Sequence, residues 1–341
     1  MIGHITLNIT VGSLITGYRK AFNCTRRSSL SMSSYAKGTR KPKSGQMLRD
    51  ISIGGHKIGV GTAITVLLAA LYVLLLAGIK LEDSSDAATL SIFSLVIFIL
   101  LDYAVRAGRL PGLKPFVGLI DAFLALAALA SVWEIVVYLG LINLSGISGP
   151  AKPVLMMISA AVISLVLIYG VLYSDKDKLM DGKLKEIYVN GVGMRSMALG
   201  TAGLVICFIM GMAILYVLFG GSAKVTGSVL SLVLLALIFA ILGAAYEELW
   251  FRGLLLSRIM PLAGKANANI LQAVIFGFFE AFAVFTLTGQ LLYLPVFLII
   301  GGLLGYYWGK ITLDDKSLLT PTLLHVGFYL LIGLPILASM V

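Results

Sequence analysis

Residues 225–253 read VTGSVLSLVLLALIFAILGAAYEELWFRG. After Ser228 comes an apolar run with no charge until Glu247 and Glu248 close it. About twenty such residues, at 1.5 Å each, match the ≈30 Å hydrocarbon core of a bilayer. Eight other stretches have the same character, at 58–79, 87–105, 115–142, 153–173, 196–219, 267–287, 290–309 and 319–340. The chain is therefore predicted to be all-α, a polytopic membrane protein of about nine transmembrane helices. Only Leu287-Thr288-Gly289 separates two of the stretches, which predicts a tight helical hairpin.

Composition agrees. Of 341 residues 59% are hydrophobic and 12% charged, against about 25% charged in a soluble domain. Mean hydropathy is +1.00. A soluble or intrinsically disordered chain is excluded. The two cysteines, Cys24 in a polar stretch and Cys207 in an apolar one, do not suggest a disulfide scaffold.

The net charge of +10 is localised. Residues 1–57 carry ten Lys and Arg and a single acid, Asp50. The predicted division is a basic, disordered cytoplasmic tail over 1–57, five helices over 58–224, and a four-helix unit over 225–341. A basic tail beside an apolar body suits anionic lipid. No aromatic interleaving or binding motif accompanies it, so membrane lipid and no nucleic acid is the expected partner. Residues 1–49 also have the acid-free, Arg- and Ser-containing make-up of an organellar transit peptide. The expected location is the plasma membrane, an organellar membrane being the alternative.

Ionisable side chains inside spans are expensive and mark candidate sites. Asp102 and Asp121 lie near span ends, and Glu134 follows Trp133 deeper in its span. All three read as structural, Glu134 with Tyr138 as a candidate partner four residues on. Glu248 and Arg252 are four apart and share a helix face, so they can pair. Glu247 points about 100° away from that pair and is free to face a cavity. Glu280, in FGFFEAFAVF, has no charged sequence neighbour and lies about 20 Å into its span from Asn267. Gln272, Phe276 and Glu280 form one stripe. His325 and Tyr329 share a face of the last span, and the other two histidines, His4 and His56, lie outside the spans.

These residues resemble the CPBP intramembrane proteases, the family of type II CAAX prenyl endopeptidases and bacteriocin-processing enzymes. Three blocks carry the resemblance, all within about 225–341. Glu247-Glu248-x-x-x-Arg252 matches the family's E-E-x-x-x-R. Phe276-x-x-x-Glu280 falls where the family has F-x-x-x-H. SLLTPTLLHVGFY, 317–329, matches its third block with His325 on the histidine, and GGLLGYYWGK, 301–310, has its glycine-rich character. Two departures stand out: Glu280 replaces a histidine, and Tyr329 stands where an asparagine or similar residue is usual.

The resemblance implies an intramembrane endopeptidase acting at the cytoplasmic side on a prenylated or otherwise membrane-bound peptide. It implies Glu247 as the base that activates water, Glu280 in the activating position beside it, and His325 with Tyr329 polarising the scissile carbonyl. Glu248, Arg252 and Phe276 are implied supports. A pair of close carboxylates holds one proton between them, so one can take a proton while the other gives one. No cofactor is expected. The alternative is a divalent metal such as zinc on Glu247, Glu280 and His325, although catalytic zinc sites are commonly richer in histidine. The competing readings are a non-catalytic scaffold that binds a membrane protein partner, favoured by the missing histidine, and a proton-coupled transporter using the same three residues.

Orientation follows from the basic residues. With the N-terminus inside and nine alternating spans, 23 Lys and Arg fall on the inner side and 3 (Lys80, Lys152 and Lys224) on the outer. Val341 is then extracytoplasmic. Cysteine labelling or reporter fusions at positions 84, 147 and 222 should report outside, and fusions within 176–186 inside. An inside signal at 222 would invert the last four spans.

Overall fold

The computed structural model describes residues 51–53, 56–81, 84–139, 147–175, 193–219 and 229–340. The predicted tail over 1–50, the charged 176–192 loop and position 222 lie outside them. Among the described residues the protein is all-helical apart from one small hairpin. That hairpin pairs β1 (Ile51–Ile53) antiparallel with β2 (His56–Ile58). The alternating Ile-Ser-Ile and His-Lys-Ile favour it, so the tail predicted over 1–57 is not all irregular.

Nine helices follow: α1 (Val60–Leu81), α2 (Ser84–Arg106), α3 (Val117–Tyr138), α4 (Ala151–Asp175), α5 (Met194–Phe219), α6 (Val229–Glu248), α7 (Leu256–Thr288), α8 (Tyr293–Asp315) and α9 (Leu319–Ala338). A 3₁₀ turn, Pro111–Phe116, leads into α3, and a π-helical turn, Leu249–Leu255, joins α6 to α7. Eight described helical stretches are long and apolar enough to cross a membrane. One of them runs unbroken from Val229 to Thr286, 58 residues. At 1.5 Å per residue that is roughly 87 Å, nearly three bilayer cores. It does not run straight: Gly264 leaves the helical region at φ 77° and ψ 162°, just after Pro261. Only glycine takes that backbone conformation freely. The eight stretches therefore contain nine spans, and the chain is a multi-pass integral membrane protein.

Contacts between helix ends follow strict alternation. Gly61, starting α1, lies against the Leu262 carbonyl beside the Gly264 kink. Arg106, ending α2, holds Asp121 near the start of α3. Ser196, starting α5, donates to Asp315, ending α8, at 2.9 Å. At the opposite ends, Lys80 of α1 meets Glu134 of α3 at 2.6 Å, and Gly149 before α4 meets the Met340 carbonyl after α9. Glu134 thus takes Lys80 as its partner rather than Tyr138. Asp102 and Asp121 share Arg106.

The 251–266 stretch was expected as an inner loop. It is instead helical, because the π turn carries α6 on into α7. Arg252 lies fully buried inside the bundle, so it is not a loop charge, and the inner count of 23 falls by one.

Burial separates central from peripheral helices. The best spanning windows of α3 and α9 are each 56% buried, against 17% for α5. Around α3 the rings of Tyr72, Phe123 and Phe98 stack with centroids 5.3 and 5.9 Å apart. A second buried cluster runs along α6 and α9 through Ala240, Ala244, Leu330 and Leu334.

Lipid supplies no hydrophobic drive for helix association, so close packing must hold the bundle. Small residues provide it. On α8, Gly301 and Gly305 lie one turn apart and face α7. A Cβ on Gly305 would sit 2.9 Å from the Phe276 ring and 3.2 Å from Ala273 Cα. One on Gly301 would sit 3.0 Å from Glu280 Cβ. Facing them, a Cβ on Gly277 would lie 2.7 Å from the Leu298 carbonyl and 2.9 Å from the Gly302 nitrogen. At the far end Gly289, at φ 67°, caps α7 and starts the short turn to α8.

Gly277→Ala should therefore push α7 and α8 apart and destabilise the protein by about 1–3 kcal/mol. Gly170→Ala, on an exposed stretch of α4 with nothing within 4 Å of the new methyl, should leave stability unchanged or raised by about 0.4–1 kcal/mol. Thermal unfolding of the two variants in one detergent checks the contrast.

Candidate active site

The three sequence blocks lie on three helices and the π turn between two of them. Glu247 and Glu248 end α6, Arg252 sits in the π turn, Phe276 and Glu280 lie on α7, and His325 and Tyr329 on α9. A π turn widens the helix by a residue, and such bulges are frequent at functional sites. This one follows directly on the two glutamates.

Arg252 is the first fixed point. Its Nη1 donates to Glu248 Oε1 at 2.9 Å with both side chains fully buried. Its Nη2 reaches the Gly305 carbonyl at 3.4 Å. The guanidinium carbon lies 4.2 Å from the centroid of Phe276 and 5.4 Å from that of Trp308. Arg252 therefore pairs with Glu248 and leaves Glu247 to the other side. The Phe276 ring is one wall of the guanidinium's slot. Gln272, at the foot of the same stripe, donates to the Gly305 carbonyl at 2.9 Å.

Glu248 has a second partner that helix spacing does not reveal. The same Oε1 lies 2.9 Å from His325 Nδ1. A carboxylate oxygen at that distance can accept from Nδ1–H, and such a bond selects the tautomer with Nε2 unprotonated in the neutral ring. His325 also stacks on Trp308, with centroids 4.3 Å apart, and on Tyr329 at 4.6 Å. The ring is held at one edge by Glu248 and packed against two aromatic neighbours. Its free nitrogen, Nε2, faces Glu247 Oε2 at 3.5 Å.

Tyr329 joins the two remaining acids. Its hydroxyl donates to Glu247 Oε1 at 2.7 Å and lies 3.3 Å from Glu280 Oε1. The two positions that depart from the family pattern thus sit next to each other. Glu247, Glu280 and His325 each present a polar atom within 4.8 Å of the others'. Glu247 is 1%, Glu280 4% and His325 0% exposed, so bulk water does not solvate the cluster.

Beside it lies a cavity of about 190 Å³ between α1, α3, α4, α6 and α7. Its walls are mostly apolar and include Tyr72, Met157, Phe239, Tyr246 and Phe279. Phe239 belongs to both regions, since its ring also packs on Tyr329 at 5.6 Å. Lys80, paired to Glu134, and Thr286 also line the cavity.

Sequence reading missed two residues and one contact. Trp308 lies in the glycine-rich 301–310 stretch, three residues after Gly305. That i, i+3 spacing placed it on the helix face turned to α7 and was the available signal. Tyr246, a cavity wall, adjoins Glu247 but carried no signal of its own. Glu248's contact with His325 spans 77 residues, and no spacing rule reaches that far.

A family model described as Type II CAAX prenyl endopeptidase Rce1-like matches residues 229–331. The match takes in α6, α7, α8 and all of the motif residues, and it supports CPBP family membership. Helices α1–α5 lie outside it. No curated protein and no solved structure matches the chain.

Arg252→Ala should leave the buried Glu248 carboxylate without its counter-ion and destabilise the protein by about 3–5 kcal/mol. Arg252→Lys should not restore stability, because an ammonium can neither fill the flat slot on Phe276 nor reach Glu248 and Gly305 together. Thermal unfolding of the three proteins in one detergent is the measurement. A lysine variant as stable as wild type would show that charge alone, and not guanidinium shape, is what the slot requires.

Proposed function

We propose that the protein is an intramembrane endopeptidase that cleaves a peptide bond in a membrane-associated, lipidated or otherwise apolar substrate. The observation that carries this reading is the Tyr329 hydroxyl bridging Glu247 and Glu280, in a buried cluster completed by an oriented histidine.

Hydrolysis needs a base for water, a donor for the carbonyl oxygen and a proton for the leaving amine. Glu247 is the base. Its Oε2 has no hydrogen-bond partner in the structure and is the atom that would receive the water proton. Glu280 is the acid: with Tyr329 between the two carboxyl groups, a proton taken up at Glu247 passes to Glu280 and on to the leaving nitrogen. Tyr329 turns its hydroxyl to the carbonyl oxygen, as the family's asparagine amide would. His325 assists from Nε2 when that nitrogen carries a proton. Glu248 and Arg252 do not touch substrate; they hold the imidazole. The apolar cavity beside Tyr246 gives a place for the hydrocarbon part of the substrate. The match to a CAAX-protease-type family supports the peptidase class.

A second reading, a non-catalytic relative that binds a membrane partner, is favoured by one observation. The family's second-block histidine is Glu280 here, so the usual imidazole is missing from the activating position.

Cleavage of a labelled prenyl-peptide library by purified protein in nanodiscs separates the two. Glu247→Ala should abolish cleavage. Glu280→Gln keeps size but removes the titrating proton, and should abolish cleavage with unchanged thermal stability. Glu280→His should retain or raise activity. Full cleavage after Glu280→Gln would remove Glu280 from the reaction and leave Glu247 alone as base. A wild type that cuts nothing while Glu280→His cuts would establish the scaffold reading.

A further inference from the structure

Glu247, Glu280 and Tyr329 each have an aromatic neighbour on the wall of the same cavity. Tyr246 precedes Glu247, Phe279 precedes Glu280, and the Phe239 ring packs on Tyr329 with centroids 5.6 Å apart. All three neighbours line the cavity of about 190 Å³. From that end the lining runs along α1 from Tyr72 to Lys80, along α3 from Leu126 to Trp133 and along α7 from Phe279 to Thr286. At 1.5 Å per residue these lengths are about 10–12 Å. Lys80, paired to Glu134 at 2.6 Å, stands at the far end.

Volume limits the occupant. Pockets for drug-sized ligands run to about 300–1,000 Å³, whereas an apolar cavity of about 150 Å³ takes up benzene. A space of about 190 Å³ therefore holds one ring-sized group, and not a complete farnesyl or geranylgeranyl chain. The wall sets the kind of group. Tyr72, Trp133, Phe239, Tyr246, Phe279 and Phe282 surround it with rings, and rings favour offset or edge-to-face contact with another ring. Met156 and Met157 add flexible thioethers that pack well on ring edges. Two polar wall residues are already engaged, since Thr286 donates to the Phe282 carbonyl at 2.8 Å and Lys80 to Glu134. A charged or amide side chain would lose its hydration there with little return.

We infer that the cavity is a pocket for one aromatic side chain of a membrane-bound peptide, carried by the residue next to the scissile bond. The protein thereby selects an aromatic residue rather than a prenyl chain. The position beside the scissile bond rests on the peptidase reading; the fit of a ring to the cavity does not. Helices α1, α3 and α4 furnish most of the wall and lie outside the family match to residues 229–331. The selectivity therefore belongs to the N-terminal helices of this chain.

The test reads binding and cleavage separately, on full-length protein in nanodiscs. The probe is 4-bromotoluene, whose bromine quenches indole fluorescence. Of the three tryptophans, Trp133 is the one on the cavity wall. Saturable quenching is expected in wild type and is lost in Trp133→Phe. Ala130→Leu and Ala283→Leu add bulk inside the cavity and should each weaken probe binding at least about 10-fold. Anchored peptides that differ only in carrying Phe, Ala or farnesylated Cys at one position are then used to displace the probe and as cleavage substrates. The Phe peptide should displace it and be cleaved with kcat/KM at least about 100-fold above the Ala peptide, a ratio that the two leucine variants should lower at least about 10-fold. Thermal melting identifies a variant that fails to fold, and the displacement series on wild type needs no variant. Absence of saturable quenching, or displacement by the Ala peptide as strong as by the Phe peptide, overturns the pocket. Preferred cleavage of the farnesylated peptide overturns the pocket and leaves the peptidase standing. Selective displacement by the Phe peptide without cleavage of any peptide supports the pocket and sinks the peptidase.

Discussion

Arg252 carries a full positive charge into the centre of a membrane-embedded helix bundle and exposes none of it. A charge in that position is tolerable only with a partner. Glu248 supplies the partner, the Gly305 carbonyl takes a second donor, and Phe276 and Trp308 cover the guanidinium with ring faces. These contacts draw on α6, the π turn, α7 and α8. The pair then reaches α9, because the oxygen that holds Arg252 also holds His325. One buried ion pair therefore sets the mutual placement of the four C-terminal helices and the orientation of the imidazole.

The glycines make that pair attainable. The Gly305 carbonyl can accept from Arg252 and Gln272 together only because α8 approaches α7 without an intervening Cβ. The same close approach brings Gly301 against the stem of Glu280. The glycine-rich stretch before the third block is thus part of the site's construction. It sets the helix separation, and the separation sets which polar atoms can meet.

The site combines an anchored half and an unsatisfied half. Glu248, Arg252, Trp308 and one edge of His325 are locked by charge and stacking. Glu247 Oε2 and His325 Nε2 have no hydrogen-bond partners, and within the anchored half Glu248 Oε2 and Arg252 Nε also lack one. The proposed peptidase reading draws on this, since polar groups oriented during folding need no reorganisation later. The cavity beside them lies outside the anchored network and is bounded by apolar side chains, several from helices that the family match does not cover. The cavity wall is thereby built largely from residues outside the buried polar cluster.

Much of this was written in the sequence. Uninterrupted apolar runs of membrane length leave a backbone no choice but helices, so all nine spans were legible, to within a few residues at most ends. The i, i+4 spacing of Glu248 and Arg252 gave their pair, since neighbours on one helix face meet whatever the tertiary context. The cost of burying Glu280 and His325 required polar neighbours for each, without saying which. Other features depended on the tertiary structure. The π turn converts an expected inner loop around Arg252 into buried helix, and hydropathy cannot detect it because Leu249–Leu255 is as apolar as a helix core. The contacts of Glu248 with His325, of Tyr329 with both acids and of Lys80 with Glu134 join residues 49 to 82 positions apart. Local sequence fixes which face of its own helix a side chain occupies. Only the crossing of helices, set by where glycine lets backbones approach, decides which faces meet.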